Sequence, residues 1–341
     1  MFDSGYISRG LALIASLRRL GVDDPIWVLC LDPGTKSYLD SLNLPSVITM
    51  SVFELECTVA GLAETRSGRS NVEYFFTCTS ALATSVLAIS KPGSWTVYLD
   101  ADMAFHAPPN HLFADVDAYD IGIVPHRFPN RLRGLEKYGH YNVAWVMLRN
   151  STTGRACAEW WRDRCIDWCF DHPDGGRYAD QGYLDEFPSR FPGTVVLEDP
   201  GINVAPWNLG RHEISEGPNG ALLVDGRPLV FYHFHGLRKK GDWIYPNLAT
   251  YKADLTRVVR DRIYRPYIAE LDAIERGASP INLGNPVPAP PQSAPTRNQR
   301  SFRSAAYRAR RRLVQYRERR SGGAFRIDDI DDEGMASRRY G

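Results

Sequence analysis

The chain has 341 residues, a formal net charge of +1, and ordinary proportions of hydrophobic (43%) and charged (24%) residues. This charge balance excludes a strong general attraction to nucleic acid or acidic lipid. The sequence shows neither a run of roughly 20 apolar residues, which a membrane span needs, nor the basic-then-apolar start of a signal peptide, so we expect a cytoplasmic protein.

Hydrophobic periodicity predicts alternating helices and strands. Apolar residues from Leu11 to Leu20 recur with helical spacing, and a buried strand is predicted at 26–31, before Asp32. Further strands are predicted at 46–50, 96–99, 121–124 and 143–148, and further helices at 35–42, 73–90 and 153–170. Such alternation indicates an α/β fold with a largely parallel sheet between helices.

The most informative motif is Asp100-Ala101-Asp102, which follows the apolar strand Trp95–Leu99. Two acids separated by one residue point to the same side of an extended chain. One divalent cation could bind both of them, directly or through a bound phosphate. The alternative, a helix cap or turn, stays open for the motif alone.

Three further polar clusters lie downstream of this motif. They are Asp180-Gln181 with Asp185, Asn203 with Trp207-Asn208, and His233 to Lys239 with Gly236 between them. With the acid pair, in this order, they resemble the GT-A class of nucleotide-sugar glycosyltransferases. The resemblance is to family 8 (glycogenin-like and lipopolysaccharide galactosyltransferase-like) and to the nucleotide-diphospho-sugar transferases, from about Phe2 to about Trp243.

The resemblance implies a GT-A fold with a mixed, mainly parallel sheet. It also implies a metal-dependent hexosyl- or pentosyltransferase that moves a sugar, with retention, from a nucleoside diphosphate donor of the UDP type to a saccharide or related hydroxyl acceptor. Asp102 and His233 would bind the metal, and Asp100 the metal or the ribose. Gly236 would let the backbone approach the diphosphate, and Lys239 would face the leaving phosphate. Carboxylates with an imidazole favour Mn²⁺, with Mg²⁺ second.

The same resemblance assigns Asp3 and Tyr6 to the nucleotide base, and Asn142, Asp180 and Gln181 to the sugar and the reaction. Two structural alternatives stay open. His233 could be an ordinary histidine of a buried strand, and Asp180 could be the N-cap of a helix at 181–187.

Some residues depart from the family pattern. The helix at 73–90 has no arginine where family 8 members usually carry one, so Arg66 or Arg69 would have to substitute. Two other functions therefore remain as alternatives. One is a non-catalytic, carbohydrate-binding relative of the same fold, and the other is a haloacid dehalogenase-type phosphohydrolase, in which the first acid is the nucleophile.

The sequence divides into a catalytic domain at 1–278, a proline-rich linker at 279–296 and a tail at 297–341. Residues 297–320 contain ten arginines and one glutamate, and an acidic run follows. The tail could be disordered and solvated, or a basic amphipathic helix on the inner face of a membrane that carries a glycolipid acceptor. Nucleic-acid binding and docking on a partner protein are the other options. A nucleotide-sugar donor and a glycan acceptor are the expected partners, nucleic acid is disfavoured, and polysaccharide synthesis is the expected pathway.

The six cysteines are Cys30, Cys57, Cys78, Cys157, Cys165 and Cys169. In a chain of this size we expect reduced core thiols rather than disulfides.

Overall fold

The computed structural model describes residues 1–277, 290, 305–320 and 322–327. The predicted linker at 279–296 therefore lies outside the described residues, apart from Pro290. Of the tail predicted at 297–341, only 305–320 and 322–327 are described.

The α-helices in these residues are α1 Ile7–Arg19, α2 Pro33–Leu42, α3 Val52–Thr58, α4 Asn71–Ile89, α5 Asn110–Ala114, α6 Thr152–Asp167, α7 Phe187–Arg190, α8 Arg265–Glu275 and α9 Ala305–Arg320. The strands are β1 Ile26–Cys30, β2 Val47–Ser51, β3 Trp95–Leu99, β4 Met103–Phe105, β5 Ile121–Pro125, β6 Tyr141–Arg149, β7 Thr194–Val196, β8 Ile214–Glu216, β9 Leu222–Val224, β10 Arg227–Pro228, β11 Phe231–His233, β12 Arg238–Lys240, β13 Trp243–Tyr245 and β14 Phe325–Arg326.

The predicted elements are present, with ends that move by a few residues. Local chemistry sets several of these ends. Asp32 caps α2 by accepting a hydrogen bond from the Thr35 amide at 2.8 Å, and Ser70 with Glu73 forms a capping box at the start of α4.

The central sheet has the strand order β3-β6-β5-β7. Strand β6 runs antiparallel to both β3 and β5, whereas β5 and β7 are parallel, as are β1 and β2 in a separate pair. The prediction of a mixed α/β fold flanked by helices is confirmed. Antiparallel pairing is more frequent than the predicted mainly parallel sheet implies, because β6 returns along the sheet after the long connection from β5.

The alternation of β6 side chains divides the core between the two faces of the central sheet. Val146 and Leu148 pack with residues of α4 and α6 on one face. Trp145 and Met147 pack with residues of α1, β4 and β11 on the other. The sheet is thus covered on both faces. Helices α4 and α6 cover one face, and α1 covers the other together with β4 and β11.

Helix α4 corrects one expectation from the sequence. It is long and apolar enough to cross a membrane by length and composition alone. In the protein it packs against α6 and β3, and 56% of its apolar stretch is buried. A helix of the protein core meets the same criteria, so this feature is weak evidence for a membrane span.

The C-terminal residues that the structure describes pack against a hairpin formed by β12 and β13. Strand β14 extends this hairpin to three strands, with Phe325 opposite Ile244. From α9, Arg319 donates a hydrogen bond to the Tyr245 hydroxyl at 2.7 Å and lies over the Trp243 ring. Part of the predicted basic tail is therefore a helix that contacts the domain.

All six cysteines are free, and five of them are buried as predicted. The expectation of a core thiol is wrong for Cys57, which is exposed near the end of the short helix α3.

Candidate metal centre

Strand pairing brings the acid pair and His233 together. Strand β3 ends at Leu99, Asp100 to Asp102 form a turn, and the chain continues into β4. Strand β11 pairs antiparallel with β4, so that His233 lies opposite Met103, the residue after Asp102. The Phe234 amide then donates to the Asp102 carbonyl at 2.8 Å, which fixes the register at this end.

The side chains of Asp100, Asp102 and His233 form one compact group, with potential ligand atoms that all lie within 4.8 Å of one another. His233 Nε2 is 3.1 Å from Asp102 Oδ1 and 3.9 Å from Asp100 Oδ2. Asp100 Oδ1 also accepts a hydrogen bond from the Tyr98 hydroxyl at 3.0 Å. His233 Nδ1 is buried without a hydrogen-bond partner in the described part of the chain, so the polar contacts of this ring lie on the carboxylate side.

These three residues fit a divalent cation. Two carboxylates and one imidazole are ligands that Mn²⁺ and Mg²⁺ accept in proteins, and the imidazole favours the transition metal. The sequence left two alternatives for His233, an ordinary core histidine and a metal ligand. In the structure His233 is a buried strand residue, and it also contacts both acids.

The electrostatics of this group follow from burial and mutual charge. Burial raises the pKa of Asp100, and the charge of His233 only partly opposes this. Burial would also raise the pKa of Asp102, but the charge and hydrogen bond of His233 outweigh it and lower the pKa to about 2. For His233, burial is outweighed by Asp102, and the pKa of the imidazole is raised.

A second group of polar residues involves Asn142, Asp180 and Gln181. Gln181 Oε1 accepts hydrogen bonds from Asn142 Nδ2 at 2.8 Å and from the Val143 amide at 3.2 Å, and Gln181 Nε2 donates to the Tyr138 carbonyl at 2.8 Å. Asn142 Oδ1 is buried and has no partner among the described residues. The structure therefore brings Asn142 and Gln181 together as a fixed amide pair.

Asp180 is almost fully buried beside this pair. Burial raises the pKa of its carboxyl to about 7, against a hydrogen bond from Thr79 that lowers it, and the charge of Asp100 raises it further. The alternative role of Asp180, as the N-cap of a helix, is not the one that the structure shows. A 3₁₀ helix, Gly182–Glu186, follows, its N-cap is Gln181, and α7 begins only at Phe187. A Cβ at Gly182 would lie 3.1 Å from the backbone of Gly176 and Arg177, so a larger residue would be crowded at the start of this turn.

Aromatic and imidazole rings pack beside His233, one of the three candidate metal ligands. The Trp207 ring lies edge-on to His233, with ring centres 5.1 Å apart, and to His235, at 5.3 Å. Trp207 Nε1 and Asn208 Nδ2 both donate to the His126 carbonyl, at 3.0 and 2.9 Å. Trp207 and Asn208 are thus buried supports of the site.

Sequence reasoning missed His126 and Tyr98. The His126 ring lies 3.2 Å from Asn142 Nδ2, and burial lowers the pKa of its imidazole to about 3, so the ring is neutral. His126 follows β5 directly, and a polar residue at the carboxyl end of a strand next to β6 is a signal that could have found it. Tyr98 has no such signal, because it is one residue of an apolar strand.

Besides Asp100, four residues were predicted to bind the nucleotide, and their environments differ. Asp3 caps a short 3₁₀ turn by accepting a hydrogen bond from the Gly5 amide at 3.0 Å. Tyr6 is 44% exposed. Gly236 has a φ of +70°, and a Cβ there would lie 2.4 Å from Asn247 Nδ2, so the turn requires glycine. Lys239 forms an ion pair with Asp272 of α8.

Arg66 and Arg69 were considered as substitutes for the arginine that the helix at 73–90 lacks, but both bind other groups of the protein. Arg66 pairs with Glu56 at 2.5 Å and lies over the Tyr74 ring. Arg69 donates to the Ile166 carbonyl at 2.6 Å and to Thr77. These contacts hold the loop before α4 against the protein.

Comparisons with known proteins identify relatives in sequence and in structure. No family model matches the chain. It is 30% identical to the uncharacterized protein YfnF of Bacillus subtilis (strain 168) over 246 residues, which cover 70% of this chain and 80% of YfnF. It is 27% identical to the uncharacterized protein YfnD of the same organism over 269 residues, 78% of this chain and 85% of YfnD.

Solved structures of glycosyltransferases are similar at low identity. Galactosyltransferase LgtC in complex with donor and acceptor sugar analogues is 13% identical, with a TM-score of 0.47, over 80% of this chain and 94% of LgtC. The apo form of mouse xyloside xylosyltransferase 1 is 13% identical, with a TM-score of 0.41, over 68% of this chain and 93% of that protein. Core-mannan synthase A from Aspergillus fumigatus, in a Mn/GDP form, is 8% identical, with a TM-score of 0.34, over 57% of this chain and 70% of that protein.

Proposed function

The chain belongs to the same protein family as YfnF, and we propose that it acts as a metal-dependent glycosyltransferase. The proposed donor is a sugar linked to a nucleoside diphosphate, of the UDP type, and the proposed acceptor is a hydroxyl group of a saccharide or glycolipid. The resemblance of its motifs to the GT-A class, with Asp100, Asp102 and His233 in one group, agrees with this activity.

The observation that carries the proposal is the convergence of these three ligands at the carboxyl end of β3. Asp102 and His233 would hold the metal together with Asp100. When bound, a divalent metal neutralises charge that develops on the leaving diphosphate, which otherwise departs poorly. We propose Mn²⁺, with Mg²⁺ as the second choice, from the mixed oxygen and nitrogen ligands.

The residues around this centre would bind and orient the donor sugar. In the Asn142–Gln181 pair, the buried amide oxygen of Asn142 has no hydrogen-bond partner in the described part of the chain. This oxygen could accept a hydrogen bond from a hydroxyl group of the sugar. Asp180, whose carboxyl has a raised pKa of about 7, lies beside this pair and would hold a second hydroxyl. In a retaining reaction the acceptor oxygen attacks on the side of the leaving group, and the departing diphosphate can take its proton, so that no separate base is required.

The place of the reaction is also part of the proposal. We expect a cytoplasmic enzyme that builds a polysaccharide and contacts the inner face of a membrane through its basic tail. In α9, Leu313 and Tyr316 are 50% and 56% exposed, and arginines lie along the same helix. Exposed apolar side chains beside arginines favour binding to anionic lipid.

Calorimetric titration of UDP, GDP and ADP, each with and without Mn²⁺, tests the proposal directly. The wild type should bind one of them in a Mn²⁺-dependent way. Asp102→Asn should weaken this binding by at least roughly 10- to 100-fold, the range caused by loss of supporting residues at metal sites. The matched control is Asp24→Asn, an exposed carboxylate between α1 and β1, which should bind like the wild type.

Binding of no nucleotide by the wild type would contradict the proposal. It would favour a carbohydrate-binding protein without turnover, or a phosphohydrolase, and a phosphatase assay separates these two.

A further inference from the structure

A nucleoside diphosphate at this centre needs a protein cation beside it, because the metal alone leaves part of its negative charge uncompensated. Lys239 is the cation that the motif suggests. In the structure its ammonium group pairs with Asp272, whose side chain is only 14% exposed. This ion pair compensates the lysine charge before any ligand binds.

Arg9, in the first turn of α1, contacts the loop that contains Gly236. Its Nη2 donates a hydrogen bond to the Leu237 carbonyl at 3.1 Å. Its guanidinium carbon lies 4.6 Å from the centre of the Tyr6 ring. Arg9 therefore connects the predicted base-binding turn with the predicted diphosphate-binding loop.

The charge of Arg9 is not compensated by an acid partner. Within the part of the chain that the structure describes, its contacts are the Leu237 carbonyl and the Tyr6 ring, both uncharged, and no carboxylate pairs with it. Its positive charge nevertheless acts on the metal site, because it contributes to the lowered pKa of Asp102. Nε and Nη1 are left with N–H groups for another acceptor.

Other arginines considered for this role are engaged. Arg66 pairs with Glu56, and Arg69 holds the Ile166 carbonyl and Thr77. A guanidinium group presents parallel N–H donors that match two phosphate oxygens, which a lysine cannot do. These features make Arg9 better suited than Lys239 to a diphosphate.

We propose that Arg9 is the residue that binds the diphosphate group of the sugar nucleotide, an inference that rests on the proposed function. Its hydrogen bond to Leu237 would hold the Gly236 loop while the remaining N–H groups bind phosphate oxygens. Arg9 would then distinguish a nucleoside diphosphate from the corresponding monophosphate.

The test is calorimetric titration with Mn²⁺ of the nucleoside diphosphate that the wild type binds, among UDP, GDP and ADP, and of its monophosphate. Arg9→Gln should weaken diphosphate binding by roughly 10- to 100-fold, as expected for loss of charge-assisted hydrogen bonds. Monophosphate binding should change much less. Arg9→Lys keeps the positive charge but not the parallel N–H donors of the guanidinium group. Its diphosphate affinity should lie between those of the wild type and Arg9→Gln.

Two variants serve as comparisons. Arg19→Gln removes an arginine of the same helix that is 55% exposed and pairs with Glu270, and it should bind both nucleotides like the wild type. Lys239→Gln should have a smaller effect than Arg9→Gln. Retained binding of Mn²⁺ alone by Arg9→Gln would show that the centre is still folded.

Diphosphate binding by Arg9→Gln equal to that of the wild type would overturn the role of Arg9 and leave the proposed function intact. The same holds if Lys239→Gln alone loses binding. Failure of the wild type itself to bind any of the three diphosphates would instead overturn the proposed function, and this inference with it.

Discussion

Replacement of Asp180 by asparagine should stabilise the protein at alkaline pH. The carboxyl is 2% exposed, and burial raises its pKa from 3.8 to about 7. Between these two pH values the folded chain keeps the proton and the unfolded chain has lost it. The folded state then binds more protons, so its stability falls as pH rises from about 4 to about 7 and is constant above that.

The size of this effect follows from the two pKa values. One pKa unit corresponds to about 1.4 kcal/mol, so ionisation of Asp180 destabilises the fold by about 4 kcal/mol once the pH exceeds 7. Between pH 5 and pH 8 the loss is about 3 kcal/mol. Asp180→Asn cannot ionise, so its free energy of unfolding relative to the wild type should increase by about this amount over the same interval.

Urea unfolding at pH 5 and pH 8, with a chelator present, measures the difference. Asp163→Asn on α6 is the control, because this carboxylate is 54% exposed and its neutralisation should bring no pH-dependent gain. An equal stability difference between Asp180→Asn and the wild type at both pH values would refute the reasoning, since the carboxyl would then be ionised throughout. Under the proposed function, the stabilised variant should also transfer sugar more slowly.

Two further substitutions test how the site is held. Gly236→Ala should destabilise the protein by more than Gly226→Ala. Both glycines have positive φ, which costs about 1 kcal/mol or more with a side chain, but only a Cβ at Gly236 would meet Asn247. Thermal unfolding of the two variants measures the difference, and equal losses of stability would contradict this reasoning. Asn208→Ala should cost about 3 kcal/mol, since the Asn208 side chain makes three buried hydrogen bonds worth about 1 kcal/mol each. Urea unfolding measures that loss, and a cost below about 1 kcal/mol would show that these bonds are easily replaced.

The sequence was sufficient for features that depend on neighbouring residues. The apolar runs before Asp32 and Asp100 predicted β1 and β3 and placed both acids at strand ends, as the structure has them. The predicted grouping of Asp100, Asp102 and His233 is present too. Here the family resemblance was needed to predict that His233 joins the two acids, because β4 and β11 are distant in sequence and no local pattern predicts their pairing.

Features that depend on distant partners could not be predicted. The antiparallel direction of β6 follows from its pairing with β3 and β5, and a periodicity of two residues is the same in either direction. Asp272 pairs with Lys239 from a helix 33 residues further along the chain. No pattern around Lys239 indicates that partner.

The packing of β14 on the hairpin of β12 and β13 has a consequence for biosynthesis. Phe325 lies 80 residues after Tyr245, so a growing chain completes the hairpin long before the third strand exists. Until then the outer edge of β13 has unpaired backbone groups, which can pair with a strand of another molecule. Chains that end before Phe325 should therefore aggregate more readily during synthesis than the full chain.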